Sequence, residues 1–445
     1  MKLLIKFILF LLIIYNYSFA QKILSLEESM DLALNNNLKF KNSIIEIETA
    51  KQKEKSAFTN YFPNVSAGIL MFKANKSLFN MDFPGGNLPV YDGNPINLFT
   101  PTQFAYFPGM SISLLDEVKV GFINIVQPIF TGGRIINGNK LASIGTEIND
   151  LKSKITKNEI IYTTEEKFWQ IVSIEEKLKT IELYEELLKN LLKQVEDAYK
   201  SGIMTRNDLL KVRLKLSEVK LNKSKLLNGK ELAMMSFCQH IGIDFSNDIK
   251  LKYDLNIDTS SLLIDHNKSL LNRYEYNLLN NVKEATNLQT KLKIGEYLPQ
   301  IGIGINGYYL KLDKNKFESN NIIFASLSIP ISNWWSGFHE IKINKLNEEI
   351  AENSLKENSD LMLLQMKKAW QDLSDAYKQI LLCDEAETQA KENLKINEDS
   401  YKSGLSTLSD LLEAQALLQQ AKDNLVDAIT NYKIKRLYYL QVTAR

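Results

Sequence analysis

Three histidines and two cysteines are the side chains from which metal or nucleophilic chemistry could be built: His240, His266, His339, Cys238 and Cys383. They show no metal-ligand spacing with one another. The chain also lacks a Gly-rich phosphate loop and a Gly-x-Ser-x-Gly nucleophile turn. We therefore expect no enzyme, no cofactor and no metal site. The histidines are expected at helix ends or on the surface. Both cysteines fall in helical patterns as buried apolar residues, with a disulfide left open.

Acidic side chains recur at two similar turns, and every matched position of the second turn lies 202 residues after the first. The two segments are Tyr199-Lys-Ser-Gly202-Ile-Met-Thr205-Arg-Asn-Asp208-Leu-Leu210 and Tyr401-Lys-Ser-Gly404-Leu-Ser-Thr407-Leu-Ser-Asp410-Leu-Leu412. Glycine can take the left-handed conformation that ends a helix, and the Thr-x-x-Asp spacing is close to a capping box for the next helix. One interpretation of Asp208 and Asp410 is therefore helix capping, and the other is a functional site.

The N-terminus is typical of a secretory signal peptide. Lys2 and Lys6 precede the apolar run 7–15, and Ser18 and Ala20 provide small residues at a cleavage site. After this segment no stretch approaches the roughly 18 to 20 apolar residues of a membrane-spanning helix. If the mature chain crosses a membrane, we expect it to do so as a β-barrel.

Charge excludes one class of partner. The 445 residues include 54 basic and 53 acidic side chains. A nucleic-acid-binding protein normally shows a basic excess. We therefore expect no nucleic-acid partner.

The repeated turns belong to a duplication of the whole mature chain. Each copy has an N-terminal helix (25–60, then roughly 269–296), a strand pair, a very long helix, a tight turn and a shorter helix. The predicted divisions are a signal peptide 1–20, repeat one 21–240, an equatorial connecting region 241–265 and repeat two 266–445. The predicted strand pairs are about 62–76 with 116–130 and 298–311 with 321–332, and the turns are 201–205 and 403–407.

The long helices are predicted from about 134 to 200 and from about 338 to 402. At 1.5 Å per residue each would be roughly 100 Å long, far beyond a globular core. Apolar residues recur every three or four positions in a heptad-like pattern, which favours coiled-coil-like packing. Ala414, Ala421 and Ala428 leave room for a closely packed neighbour helix.

The strand segments alternate one apolar and one mostly small or polar face, as in a barrel wall. Between the first two strands, residues 79–108 are rich in Pro, Gly, Asn and aromatic residues and are predicted as an external loop. Four strands cannot close a barrel, because bacterial single-chain barrels begin at eight. A dimer would be filled by its side chains, whereas a trimer of twelve strands could enclose a channel.

This order of elements resembles the TolC-like outer-membrane efflux proteins over essentially the whole mature chain. The segments that carry the resemblance are Leu24-Ser-Leu-Glu-Glu-Ser-Met-Asp-Leu-Ala-Leu-Asn-Asn-Asn, Phe62-Pro-Asn-Val-Ser, Gln127-Pro-Ile-Phe-Thr-Gly-Gly-Arg134 and the two turns. The resemblance implies a mainly α fold with a β-barrel portion, in a homotrimer with a 12-stranded outer-membrane barrel and a periplasmic helical barrel. It implies contact with outer-membrane lipid, a periplasmic adaptor and an inner-membrane pump.

The resemblance also implies roles for the turns. Their adaptor-contact tips would be Gly202, Ile203, Met204, Thr205, Gly404, Leu405, Ser406 and Thr407. Asp410 and Glu413 match two acidic rings at the constriction, and Asp208 and Tyr401 match a linking pair. Three copies of each acid around an axis would repel one another, favour cations and raise their own pKa values. Ser406 stands where the best-known member has a linking arginine, although Arg206 lies in the other turn.

By this resemblance the protein would be a passive outer-membrane exit duct, opened at the periplasmic helix tips, for substrates that an inner-membrane pump hands over through a periplasmic adaptor. Two other protein classes compete with this expectation. A periplasmic or cell-surface structural coiled coil without channel activity would explain the helices but leaves the four strands without a purpose. A periplasmic adaptor normally carries one hairpin within β-rich domains, whereas this chain repeats hairpin and strand pair. The exported substrate and the identity of the pump and adaptor are not indicated by the sequence.

Overall fold

A computed structural model describes residues 23–114, 117–258, 262–312 and 316–445. The predicted signal peptide 1–20 lies outside the described residues. So do Asp116, at the start of one predicted strand, and 259–261, in the predicted equatorial region.

The chain forms two compact units, each built from segments of both sequence repeats. Of the described residues, those up to Lys51, Ile144–Ala285 and Glu349–Arg445 form the helical unit, and Gln52–Ser143 and Thr286–Glu348 form the sheet unit. The predicted boundaries between the two repeats stay a prediction.

The described helices range from five to 69 residues in length. They are α1 (Leu26–Asn36), α2 (Leu38–Phe58), α3 (Arg134–Lys200), α4 (Arg206–Ile241), α5 (His266–Leu270), α6 (Tyr274–Glu296), α7 (Trp334–Lys402) and α8 (Leu408–Val442). The 67-residue α3 has the bounds expected from the sequence, and the 69-residue α7 begins four residues earlier than expected.

The single helix predicted over 25–60 is wrong, because Asn37 divides it. Asn37 has an extended backbone (φ −61°, ψ 124°). Its side-chain amide nitrogen donates to the His240 carbonyl at 2.9 Å, and its side-chain oxygen accepts from the Lys39 backbone N–H at 2.9 Å. The second N-terminal helix, predicted over 269–296, is likewise divided into α5 and α6.

Among the described residues, the core of the helical unit contains three hydrophobic clusters along the long helices. The first includes Ile181, Leu188 and Val195 of α3 with Val212 of α4 and Leu411 of α8. These residues of α3 and α8 belong to the heptad-like apolar pattern predicted from the sequence, so the predicted apolar faces of these two helices are buried. Near the N-terminus the short strands β1 (Ile23–Leu24) and β8 (Lys250–Leu251) pair in parallel.

The sheet unit contains the strands β2 (Asn64–Lys73), β7 (Glu117–Thr131), β9 (Gln300–Leu312) and β10 (Glu318–Ser328). They form a four-stranded antiparallel sheet in the order β10-β9-β7-β2. All four predicted strands are present. The last one ends before the expected 332, because Pro330 lacks an N–H and a short 3₁₀ turn, Ile331–Asn333, follows it.

The long segment between β2 and β7 is not an irregular loop. It folds into the short strands β3 (Phe79–Phe83), β4 (Gly86–Val90), β5 (Gln103–Phe107) and β6 (Met110–Leu114). Strand β3 pairs with β6, and β4 pairs with β5. The segment therefore continues the hairpin of β2 and β7 as a two-stranded ribbon.

Within the described residues, none of the helices combines the length and apolar character that crossing a membrane would need.

Candidate functional site

The two turns predicted as tips have the same backbone geometry. Gly202 and Gly404 have φ values of +75° and +73°. The N–H groups of the residues that follow them, Ile203 and Leu405, donate to carbonyls five residues back at 2.9 and 2.8 Å. This is the Schellman arrangement, which satisfies the last carbonyls of a helix and reverses the chain.

A capping box starts the helix after each turn. The Thr407 N–H and hydroxyl donate to one Asp410 carboxylate oxygen at 2.8 and 2.7 Å, and the Asp410 N–H donates to the Thr407 hydroxyl at 3.2 Å. Thr205 and Asp208 form the same box at the start of α4. The capping interpretation of both aspartates is therefore confirmed.

The apex of each turn presents an apolar side chain. Ile203 is 79% exposed and Leu405 is 83% exposed. Thr205, Thr407 and the two glycines are exposed as well, whereas Met204 and Ser406 are half-buried. The Ser406 hydroxyl donates to the Asn397 carbonyl at 3.4 Å, so this residue bonds within its own hairpin.

Helices α3 and α4 form one hairpin and α7 and α8 form the other, and the two hairpins pack together near their turns. The first hydrophobic cluster joins residues of α3, α4, α7 and α8, including Leu209, Leu394 and Leu408. The Lys211 ammonium donates to the Ser409 hydroxyl at 2.9 Å. The fold therefore places the two turns, 202 residues apart in sequence, side by side.

Asp208 and Tyr401, the predicted linking pair, are brought together. Tyr401 packs against the first hydrophobic cluster. Burial, and then the nearby Asp208 charge, raise the pKa of the Tyr401 hydroxyl. Asp208 is half-buried and lies 3.8 Å from the Lys211 ammonium. The pair is thus near enough for electrostatic coupling, with Lys211 as a third member that sequence reasoning missed.

The two predicted ring acids differ in their surroundings. Hydrogen bonds from the side chain and backbone of Thr407 lower the pKa of the Asp410 carboxyl. Glu413, less than one turn further along α8, is exposed, and within the described part of the chain it makes no hydrogen bond or ion pair. Raised pKa values were expected from three acids around an axis; that effect requires a trimer and stays a prediction.

A second set of polar contacts between the hairpins was not anticipated. The Thr180 hydroxyl of α3 donates to the Asp423 carboxylate of α8 at 2.6 Å. Lys177 lies 2.6 Å from the Asp427 carboxylate, to which the Ser173 hydroxyl also donates at 2.8 Å. Burial raises the pKa of Asp423. The regular spacing along each helix was visible in the sequence, but nothing indicated which residue faces which.

The histidines and cysteines lie apart from this site. His240 is near the end of α4, where burial lowers its pKa and its ring is 3.1 Å from the Thr164 hydroxyl. Cys238 is buried in one hydrophobic cluster and Cys383 packs against another, and they do not form a disulfide. Over the residues that the structure describes, no group of histidine, cysteine and acidic side chains could hold a metal ion.

Comparison with known proteins finds one family match and several similar folds. Residues 283–438 match the family described as outer membrane efflux protein, which confirms the resemblance predicted from the sequence and supports the expected outer-membrane location. No curated protein sequence matches the chain.

Solved structures share the fold at low sequence identity. The Campylobacter jejuni CmeC outer membrane channel is 16% identical, with a TM-score of 0.77 over 94% of this chain and 85% of that one. The outer membrane protein VceC of Vibrio cholerae is 12% identical, with a TM-score of 0.74 over 94% and 95%. The open state of the Neisseria gonorrhoeae MtrE outer membrane channel is 14% identical, with a TM-score of 0.75 over 94% and 88%. The mainly α fold with a strand portion is that of outer membrane channels.

Proposed function

We propose that the protein is the trimeric outer-membrane exit duct of a tripartite efflux or type I secretion system. The observation that carries the proposal is that one chain contains both a four-stranded antiparallel sheet and two long helical hairpins, α3 with α4 and α7 with α8. Within the described residues, β2 and β10 each have a strand neighbour on one side only. Three copies joined edge to edge would give twelve strands, enough for an open channel. The likeness to outer membrane channels supports this assembly.

The duct is proposed to conduct passively, with energy supplied by an inner-membrane pump. A periplasmic adaptor would contact the two turns. Ile203 and Leu405 support this role, because large apolar side chains exposed at the apex of a turn favour binding to a partner. The remaining tip residues, Gly202, Met204, Thr205, Gly404, Ser406 and Thr407, shape the two turns.

The gate is proposed at the start of α8. Three copies each of Asp410 and Glu413 would surround the axis, repel one another and favour cations. The adjacent Asp208 and Tyr401 would couple one hairpin to the other, so that movement of one turn is felt by its neighbour.

Single-channel recording in a planar bilayer tests the gate. The variant carrying Asp410→Asn and Glu413→Gln removes the charge while keeping an oxygen at position 410 that can accept from Thr407. We expect a small, cation-preferring conductance in the unaltered protein, and a larger, less selective one in the variant, because the repulsive ring is neutralised.

Thr407→Ala is the matched control, because it weakens the cap and keeps both charges. If Thr407→Ala changed ion selectivity as much as the charge variant does, cap loss would explain the result and the gate assignment would be wrong. A protein that stays soluble without detergent and conducts no current would favour the structural coiled coil instead.

A further inference from the structure

One face of the four-stranded sheet is an apolar surface that runs across all strands. Val65, Ile125, Ile305 and Ile323 lie in one register row, from β2 through β7 and β9 to β10. Ile323 is 81% exposed. At the same level the opposite face carries two polar side chains, Asn124 and Asn306, which are directly opposite each other. In a membrane barrel the apolar face is the one that contacts lipid.

The same face becomes aromatic and then basic toward one end. Tyr309 of β9 stacks on Phe317, with ring centroids 4.7 Å apart and planes within 4°. Beyond them the Lys311 ammonium lies 5.5 Å from the Phe317 ring centroid. Aromatic residues followed by long basic ones are typical of a membrane–water interface.

Three lysines on adjacent strands converge at this end. Lys119 of β7 is directly opposite Lys311 of β9. On the other side of β7, Lys73 of β2 is directly opposite Glu117. Because alternate residues of a strand share a face, all four side chains project from the apolar face.

The charges of this group do not cancel. Lys119 and Glu117 form an ion pair at 2.6 Å and remain 38% and 37% exposed. The charges of Lys73 and Lys311 also act on the Glu117 carboxylate. Three ammonium groups thus share one carboxylate among the described residues of this face, and directly opposed like charges are unfavourable without a counter-ion.

The distance of the three lysines from the other end of the sheet fits the position of a lipid headgroup. From Ile301 to Lys311 the strand advances about 33 Å, or about 25 Å vertically at a tilt near 40°, which equals the apolar band of such barrels. Helix α3 follows the end of β7 that is distant from the lysines, and α7 likewise follows the end of β10 that is distant from them. If those helices are periplasmic, the lysines lie at the outer leaflet.

We propose that Lys73, Lys119 and Lys311 bind the phosphate of an anionic lipid headgroup in the outer leaflet, with its acyl chains against the apolar face of the sheet. The site rests on the proposed outer-membrane location, and its ligand is a phosphorylated lipid. Basic clusters at the membrane surface attract anionic headgroups in this way.

The test uses the full-length protein in detergent, with bound lipid counted by native mass spectrometry. Diphosphoryl lipid A is the probe, and phosphatidylethanolamine is the zwitterionic comparison. We expect the protein to retain lipid A preferentially, and the variant K73Q/K119Q/K311Q to lose about fivefold in affinity per lysine, since each contributes about a factor of five near such a surface.

Two further variants separate charge from folding. K73R/K119R/K311R should keep lipid A, whereas K53Q/K55Q/K356Q, which changes exposed lysines on helices α2 and α7, should bind it like the unaltered protein. Equal loss of lipid A binding in all three variants, or no loss in K73Q/K119Q/K311Q, would overturn the proposal. Inorganic phosphate that bound as tightly as lipid A would show a free-anion site and overturn it as well.

The proposed duct function is tested by an experiment that does not depend on the lipid site. Bilayer recording of the unaltered protein reports on the duct, whether or not lipid A is selected. A conducting channel with no preference among lipids would leave the duct in place and remove the lipid site.

Discussion

The Asp410 carboxylate already has a structural task before any gate is considered. It accepts two hydrogen bonds from Thr407 and so holds the first turn of α8 in place. Glu413 has no such task among the described contacts, and its charge is therefore available to an ion or to another copy of the chain. At the scale of the residue, capping and gating are compatible functions of one aspartate, because capping uses one carboxylate oxygen and the charge acts at a distance.

Acid should loosen the turn that Asp410 caps. Because its pKa in the folded chain lies below the ordinary value of 3.8, the stabilisation is fully present above that value and is lost as the pH falls through the lowered one. Hydrogen exchange of the first turn of α8 measures this. Asp410→Asn is the control, because it cannot carry the charge at any pH. The unaltered protein and this variant should differ in the protection of this turn at neutral pH and not in acid. A difference in protection that is the same at every pH would contradict the assignment.

At the scale of the element, helix ends are set by two kinds of glycine. Gly404 has φ +73° and open space around its α-carbon, so only its backbone conformation requires glycine. Gly242 ends α4 with φ +71°, and a β-carbon there would overlap the side chain of Asn36 on α1. The end of α7 at Gly404 therefore depends on local backbone conformation alone, whereas the end of α4 at Gly242 also depends on its packing against α1.

Alanine at these two glycines should therefore have unequal effects. Gly404→Ala is expected to cost about 1 to 2 kcal/mol through left-handed strain alone. Gly242→Ala adds a steric conflict with Asn36 and should cost more, with loss of protection spreading into α1. Hydrogen exchange of each helix end measures both effects. Equal effects at the two sites would mean that α1 can move away from α4 freely.

At the scale of the whole molecule, the exposed face of α4 indicates an assembly. Leu210, Leu214, Leu221 and Leu232 lie on one side of the helix, opposite its buried face, and each is more than half exposed. A row of exposed leucines on a long helix favours contact with another helix. We assign this contact to a neighbouring chain of the proposed trimer.

Leu214→Asp should therefore weaken the trimer, because it places a charge in an apolar contact between chains. Asn222→Asp, an exposed position off the stripe on the same helix, is the matched control and should leave the trimer intact. Light scattering of the detergent-solubilised protein gives the number of chains. A trimer that survives Leu214→Asp as well as it survives the control would exclude this face from the interface.

The sequence by itself determined the elements whose causes are local. The ends of α3 and α7 depend on a glycine in the turn, and the starts of α4 and α8 on a threonine and an aspartate three residues apart. The buried stripes follow from the spacing of apolar residues along each helix. These features were predictable because the groups that make each contact are neighbours in the chain.

Only the tertiary structure decided which distant residues meet. The break at Asn37 depends on a carbonyl 203 positions away, and Asp423 meets Thr180 across two helices. The basic group of Lys73, Lys119 and Lys311 depends on the register of three strands, in which a shift of one residue would move each side chain to the other face. Periodicity shows which face of an element is buried. It does not show the partner or the register, because those are selected by packing over the whole chain.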